Sequence, residues 1–198
     1  MMRLPDAFLK APIAHRALHD KSAGRAENSP AAIRAAIHAG YGIEIDLQLS
    51  KDGVAMVFHD YDLQRLTGQT GAVQQITLLG GAETIPTLDQ VLQLVDGQVP
   101  LLIEIKDQDG LMGANVGRLE RSTAAALKGY PGDVALMSFN PHSIRILSGL
   151  CPAVPRGLTT SAYRVEDWQL LPKGTRDRLR QIPDYDASKC CFISHEAD

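Results

Sequence analysis

The sequence predicts an α/β fold in one domain, built from parallel strands separated by helices. Three observations predict it. Short strand-like runs alternate with helix-like runs along the whole chain. Two of the strand-like runs end in acidic residues on one face and are apolar on the other. No internal repeat, low-complexity tract or linker divides the 198 residues, so residues 1–198 read as a single domain.

Composition sets the outer limits. Hydrophobic residues make up 44% and charged residues 22%, close to a soluble globular average, which argues against disorder or a fibrous repeat. A net charge of −3 with no basic run gives no nucleic-acid footprint. No run of apolar residues is long enough to span a bilayer, and the first twelve residues lack the apolar core of a secretory signal. Three cysteines, two of them adjacent, make no disulfide framework, and a reducing cytoplasm is the simplest expectation.

Taken in order, the first strand is expected at 11–15. A charged loop follows, then a helix that Ser29 can cap, with Pro30 at its first position and Gly40 ending it. Alternating runs at 43–50 and 54–59 flank Asp52-Gly53, a strong hairpin signal. Further strands are expected at 100–106, 134–139, 156–159 and 190–194. Helices are expected at 87–95, 115–127, from Asn140-Pro141 to near Gly149, and at 165–181 with an interruption at Pro172. The arm at 54–59 runs antiparallel, so it is expected to extend the sheet rather than serve as one of its parallel strands.

The chemistry sits on two runs. Side chains on a strand alternate faces with period two. Ile43, Ile45, Leu47 and Leu49 therefore share one face, and Glu44, Asp46, Gln48 and Ser50 the other. That pattern alone also fits an antiparallel strand with one wet face. In the second run, Leu101, Ile103 and Ile105 oppose Leu102, Glu104 and Lys106. Two strands carrying acids toward their C-terminal ends suggest a barrel in which those ends form the active face. With Asp52 and Gly53 as a two-residue turn, Lys51 pairs with Val54 and Asp46 falls opposite His59. That register puts His59 roughly 4.5–5.5 Å from Asp46, Cβ to Cβ, and so beside the acid pair; a one-residue slip would move it to the other face. Three converging carboxylates repel one another unless a cation lies among them, and oxygen ligands suit Mg²⁺ or Ca²⁺ better than zinc. Lys106 and Arg16 could instead neutralise the acids as salt bridges.

These residues resemble a known series. His15-Arg16, Glu27-Asn28, Glu44-Ile45-Asp46, Asp52-Gly53, His59-Asp60 and Glu104-Ile105-Lys106 look like the motifs of the glycerophosphodiester phosphodiesterase family, in order through about the first hundred residues. Ser138-Phe139 resembles a further element, and beyond it the likeness is thin. The resemblance implies a TIM (β/α)8 barrel and a divalent cation held by Glu44, Asp46 and Glu104. It implies His15 and His59 as the acid–base pair, and Arg16 and Lys106 on the phosphate. It implies a small-molecule glycerophosphodiester cleaved to glycerol 3-phosphate and an alcohol; the charge pattern argues against a nucleic-acid partner, and the absence of a basic amphipathic helix or exposed aromatic run against stable membrane association. Phe139 is a candidate for the leaving-group pocket. Glu27 and Asn28 are candidates for site support, and Asn28 could equally initiate the helix beside Ser29.

The chain departs from the family pattern in two ways. Ala17 stands where the family usually has Gly after His-Arg. Only six barrel strands are found where the resemblance calls for eight, so the chain is expected to be C-terminally incomplete. A lysophospholipase D or other phospholipase-like activity, or a non-catalytic glycerol-phosphate-binding remnant, are the competing expectations. His19, His38, His142 and His195 are expected on the surface or satisfied in loops, although His195-Glu196, just after a strand, could border the site. Asp60 and Asp62 are expected to support the loop after His59, Trp168 to pack, and the cysteines to form a buried strand pair and a loop thiol.

Overall fold

A computed structural model describes residues 2–77 and 85–196. Its centre is a sheet of parallel strands with one antiparallel arm. The chain opens with a short helix α1 (Ala7–Lys10) and strand β1 (Ile13–Ala14). Helix α2 (Pro30–Ala39) leads into β2 (Gly42–Leu49), which turns back as β3 (Ala55–Val57). Then follow α3 (Gln64–Thr67), α4 (Leu88–Val95), β4 (Leu101–Ile105), α5 (Arg118–Ala126), β5 (Val134–Ser138) and α6 (Pro141–Leu150). Strand β6 (Arg156–Thr160), helix α7 (Lys173–Arg180) and β7 (Phe192–His195) complete it. The strand order is β1-β2-β4-β5-β6-β7, all parallel, with β3 off this path against β2. The hairpin arm thus extends the sheet, as expected, and β1 and β7 lie at its two edges.

Local chemistry explains the helix boundaries. Ser29 Oγ accepts from Ala32 N at 3.2 Å, and Gly40 closes α2 at φ +69°. Thr87 and Gln90 form a reciprocal capping box at the start of α4. The helix expected at 115–127 begins only at Arg118, because Gly117 sits at φ +128°, outside helical space. The helix expected at 165–181 is confined to α7. Pro172 disfavours helical backbone in the residue before it, so 165–171 form turns instead. The first strand shrinks to two residues, and the last begins at Phe192, leaving Cys190 and Cys191 half-buried ahead of it rather than paired in a strand.

The core lies between the sheet and its helices. Ile43, Ile45 and Leu47 of β2 and Leu101, Ile103 and Ile105 of β4 pack with Ile33 of α2 and Leu88 and Val91 of α4. Each such side chain, taken fully out of water, contributes about 1.5–3 kcal/mol. Beneath β6 the buried Arg156 donates to the carbonyls of Pro152 and Val154 at 2.8 and 2.9 Å, stitching the preceding loop to the strand.

The hairpin corrects one expectation. Leu47 pairs with Val57 and Leu49 with Ala55, so Asp46 faces Phe58 rather than His59. The turn holds three residues, not two. Gly53 N donates to Ser50 O at 3.1 Å, Ser50 N donates to Val54 O at 3.0 Å, and Gly53 adopts φ +87°. A glycine in the left-handed region adds the extra residue of a bulged loop. The ladder ends at Val57, so strict alternation does not govern His59, and the histidine still reaches the acid-bearing face.

Candidate active site

The β2–β4 register places the acids. Asp46 pairs with Glu104 and Glu44 with Leu102, so Asp46 and Glu104 sit side by side and Glu44 lies two residues deeper. All three are buried, and one oxygen from each lies within 4.8 Å of the others. Lys106, just past β4, reaches Asp46 Oδ1 at 2.8 Å and Glu104 Oε1 at 2.7 Å. The ion pairs expected of Lys106 are therefore formed, and Arg16 makes a looser one, with its Nε 3.8 Å from Asp46 Oδ2.

One ammonium cannot balance three buried carboxylates. Burial, reinforced by Asp46 and Glu104, pushes Glu44 up to about 8. Burial also raises Glu104, against the pull of Lys106. Burial opposes ionisation of Asp46 too, but Lys106, His59 and Asn28 overcome it and hold that carboxyl below its usual range.

The loop after β1 supplies the next groups. Arg16 and Ala17 take φ +54° and +63°, and Asn28 takes φ +57°. The turn aims Arg16 N at Glu44 Oε2, 2.8 Å away, while Asn28 N donates to Arg16 O. Asn28 does not cap the helix. Its Nδ2 donates to Asp46 Oδ2 at 2.9 Å, and Ser29 is the cap. Asn28 Oδ1 and Glu44 Oε1 are buried without a hydrogen-bond donor among the described residues. Buried oxygens lacking a donor, beside three acids, suit a hard cation.

A cavity of about 590 Å³ opens over these groups, lined by His15, Arg16, Glu44, His59, Glu104, Lys106 and Phe139 among others. Every residue expected in catalysis or phosphate binding faces it, while Asp46, Glu27 and Asn28 support it from behind. Burial and the neighbouring Arg16 lower the His15 pKa, favouring a neutral ring. His59 Nδ1 contacts Asp60 Oδ1 at 2.7 Å and its Nε2 contacts Arg16 Nη2 at 2.8 Å. Asp60 thus supports His59, as expected, and Asp62 holds the same loop through Gln64 N. Phe139, just after β5, packs on Trp168 and Tyr163 with ring centroids 5.0 and 6.3 Å away. Trp168 packs as expected.

Sequence reasoning missed Arg65 and gave His195 too little weight. His195 lies on β7, shares a 2.7 Å hydrogen bond with Thr160 Oγ1, and lines the cavity rather than a remote loop. Its position at a parallel-strand C-terminus was the available signal. Arg65 bridges Glu27 and Asp60 through four hydrogen bonds that no local pattern announces.

The profile of the Glycerophosphoryl diester phosphodiesterase family matches residues 15–188. The chain belongs to this family. Among curated family proteins, it is 33% identical over 175 residues to a glycerophosphodiester phosphodiesterase of Caldanaerobacter subterraneus subsp. tengcongensis, covering 80% of this chain and 70% of the relative. It is 38% identical over 151 residues to the glycerophosphodiester phosphodiesterase of Bacillus altitudinis, covering 68% of this chain and 61% of that one. Among solved structures, a phosphodiesterase of Oleispira antarctica, in complex with the product sn-glycerol-3-phosphate, superposes with a TM-score of 0.71 at 26% identity, over 96% of this chain and 76% of that one. The six parallel strands with their helices thus form part of the family's barrel. No helix among the described residues is long and apolar enough to cross a membrane.

Proposed function

We propose that this protein hydrolyses a glycerophosphodiester to glycerol 3-phosphate and an alcohol, with Mg²⁺ or Ca²⁺ held by Glu44, Asp46 and Glu104. The observation that carries the reading is the convergence of those three oxygens within 4.8 Å beneath a cavity that His15, His59, Arg16 and Lys106 also line. The product complex of the Oleispira antarctica enzyme supports the same substrate class.

A divalent cation held by Glu44, Asp46 and Glu104 would supply charge stabilisation to the phosphoryl oxygens. The remaining work falls to side chains. Arg16 presents a planar fork to non-bridging oxygens and Lys106 a point charge. His59 and His15 divide proton removal from the attacking hydroxyl and proton delivery to the departing alkoxide. The glycerol 2-hydroxyl attacks phosphorus and expels the alcohol, and water then opens the cyclic phosphate to glycerol 3-phosphate. Phe139 lines the side where the alcohol leaves. The chain acts as one catalytic barrel domain, and the open sheet edges at β1 and β7 support two further βα units in the closed barrel. Three free cysteines support a cytoplasmic setting. The test is release of glycerol 3-phosphate from glycerophosphocholine with Mg²⁺ or Ca²⁺. No metal-dependent release would favour the non-catalytic binding role instead.

One observation favours a second reading, lysophospholipase D activity. Tyr61, Leu111, Val165 and Leu170 are exposed on the loops around a side cavity of about 320 Å³ near Trp168. An apolar rim of that kind can hold an acyl chain. Faster hydrolysis of a lysophospholipid than of glycerophosphocholine would establish that reading over the first.

A further inference from the structure

The proton-handling side of the cavity closes into a ring of side chains. Arg16 Nη1 donates to Glu27 Oε1 at 3.2 Å. Arg65 grips Glu27 with Nη1 and Nη2, at 2.9 and 2.5 Å. The same guanidinium grips Asp60 with Nε and Nη2, at 2.6 and 2.9 Å. Asp60 Oδ1 meets His59 Nδ1 at 2.7 Å, and His59 Nε2 meets Arg16 Nη2 at 2.8 Å, which returns to the start.

The chemistry of the members fixes the protons. Arginine has donors only, so His59 Nε2 must accept from Arg16. An ionised carboxylate accepts only, so His59 Nδ1 carries the hydrogen that Asp60 receives. The ring therefore selects one neutral tautomer of His59, with its lone pair on Nε2. The histidine side chain free in water prefers the other tautomer, with hydrogen on Nε2, so the protein must enforce this one. Glu27, His59 and Asp60 also gather closely enough to suggest a metal site, but two guanidiniums already saturate the carboxylates.

Arg65 is the keystone and is not among the cavity-lining residues. Its contacts go to two acids brought together from separate loops, which only a forked cation can hold at once. We propose that Arg65 is a positioning residue that holds Asp60 on His59 Nδ1 and Glu27 on Arg16, and so keeps the His59 lone pair on Nε2. This inference rests on His59 being a proton-transfer group in the reading above.

The experiment uses the wild-type protein with Arg65→Gln, Arg65→Lys and Asp60→Asn, read by imidazole ¹⁵N NMR and by glycerophosphocholine kinetics. Wild type shows His59 with hydrogen on Nδ1. Arg65→Gln loses that signature, and kcat falls about 10–100-fold, the usual cost of removing an outer-shell partner. Arg65→Lys recovers part of both, because an ammonium neutralises the acids without forking them. Asp60→Asn also loses the signature, as expected when an amide replaces the tautomer-setting acid. An Arg65→Gln protein that keeps both signature and kcat overturns the proposal. So does one whose activity falls only in step with its folded fraction while the signature persists. His59→Ala separates the two readings: full activity in that variant overturns His59 as a proton-transfer group, whereas the wild-type spectrum reports the tautomer independently.

Discussion

At the ends of β2 and β4, three buried carboxylates share one ammonium, whereas on the loops across the cavity two carboxylates share two guanidiniums and an imidazole. The consequences are opposite. Glu44 is driven up to about 8 by burial and its acidic neighbours. Glu27 is held at about 2, chiefly by hydrogen bonds from Arg65, against burial. Asp60 is likewise held at about 2, where Arg65 and His59 outweigh burial. The first cluster has more carboxylates than positive charge to match them and suits an added cation. The second is complete in itself and suits the orientation of a histidine. One cavity thus joins an acid cluster short of positive charge to a ring in which charges are matched.

The largest effect is expected where the first cluster is broken. Glu44→Gln should lower glycerophosphodiester hydrolysis by roughly 10³-fold, since a metal contributes several kcal/mol to the transition state. The same substitution should leave stability in chelator nearly unchanged, because Glu44, driven up to about 8, is already largely uncharged near neutral pH without a cation. Thermal unfolding with EDTA checks this, and a marked loss of stability would mean that the Glu44 charge is structural.

Lys106→Met should cost about 3–5 kcal/mol of stability without metal, because it strands two buried carboxylates. Mg²⁺ or Ca²⁺ should restore part of that loss. Denaturation curves with and without the cation decide it, and a variant indifferent to metal would show that Lys106 does not compete with a cation for these oxygens.

The loop ring predicts a smaller, pH-dependent effect. The pKa values of Glu27 and Asp60 are lowered on folding, so the unfolded chain binds more protons between about pH 2 and 5. Their stabilisation is complete above that window and disappears as pH falls through about 2. Arg65→Gln removes the main cause, so it should be about 1–2 kcal/mol less stable at pH 7, discounted for the half-exposed guanidinium. The difference should vanish near pH 2, as measured by urea denaturation across that range.

The smallest effect is expected at Ala17, held at φ +63°. Relief of the left-handed strain by Ala17→Gly gains roughly 1–2 kcal/mol. The lost methyl burial and the freer unfolded chain offset most of it, at about 0.8 and 0.4–1 kcal/mol. A net change within about 1 kcal/mol by denaturation is therefore expected.

The acid triad was legible because it depends on alternation within two strands, a local property. Glu44, Asp46 and Glu104 needed only period two and a parallel register. The register expected to set His59 opposite Asp46 is off by one residue, and His59 reaches the cavity only because the chain leaves the ladder at Val57. Arg65 was not legible, since Glu27 lies 38 residues away in sequence and meets it only through the folded loops. His195 was undervalued for a related reason, as the family likeness thins where β6 and β7 bring it to Thr160. The interrupted helix at Pro172 was read in outline, but only its second half forms.

The central claim is that Glu44, Asp46 and Glu104 together form a cation site. Calorimetric titration of EDTA-treated protein with Mg²⁺ and with Ca²⁺, beside Glu44→Gln, tests it most directly. One cation per chain in the wild type, with binding lost or greatly weakened in Glu44→Gln, is the result expected. No binding in the wild type, or equal binding in both proteins, would contradict it.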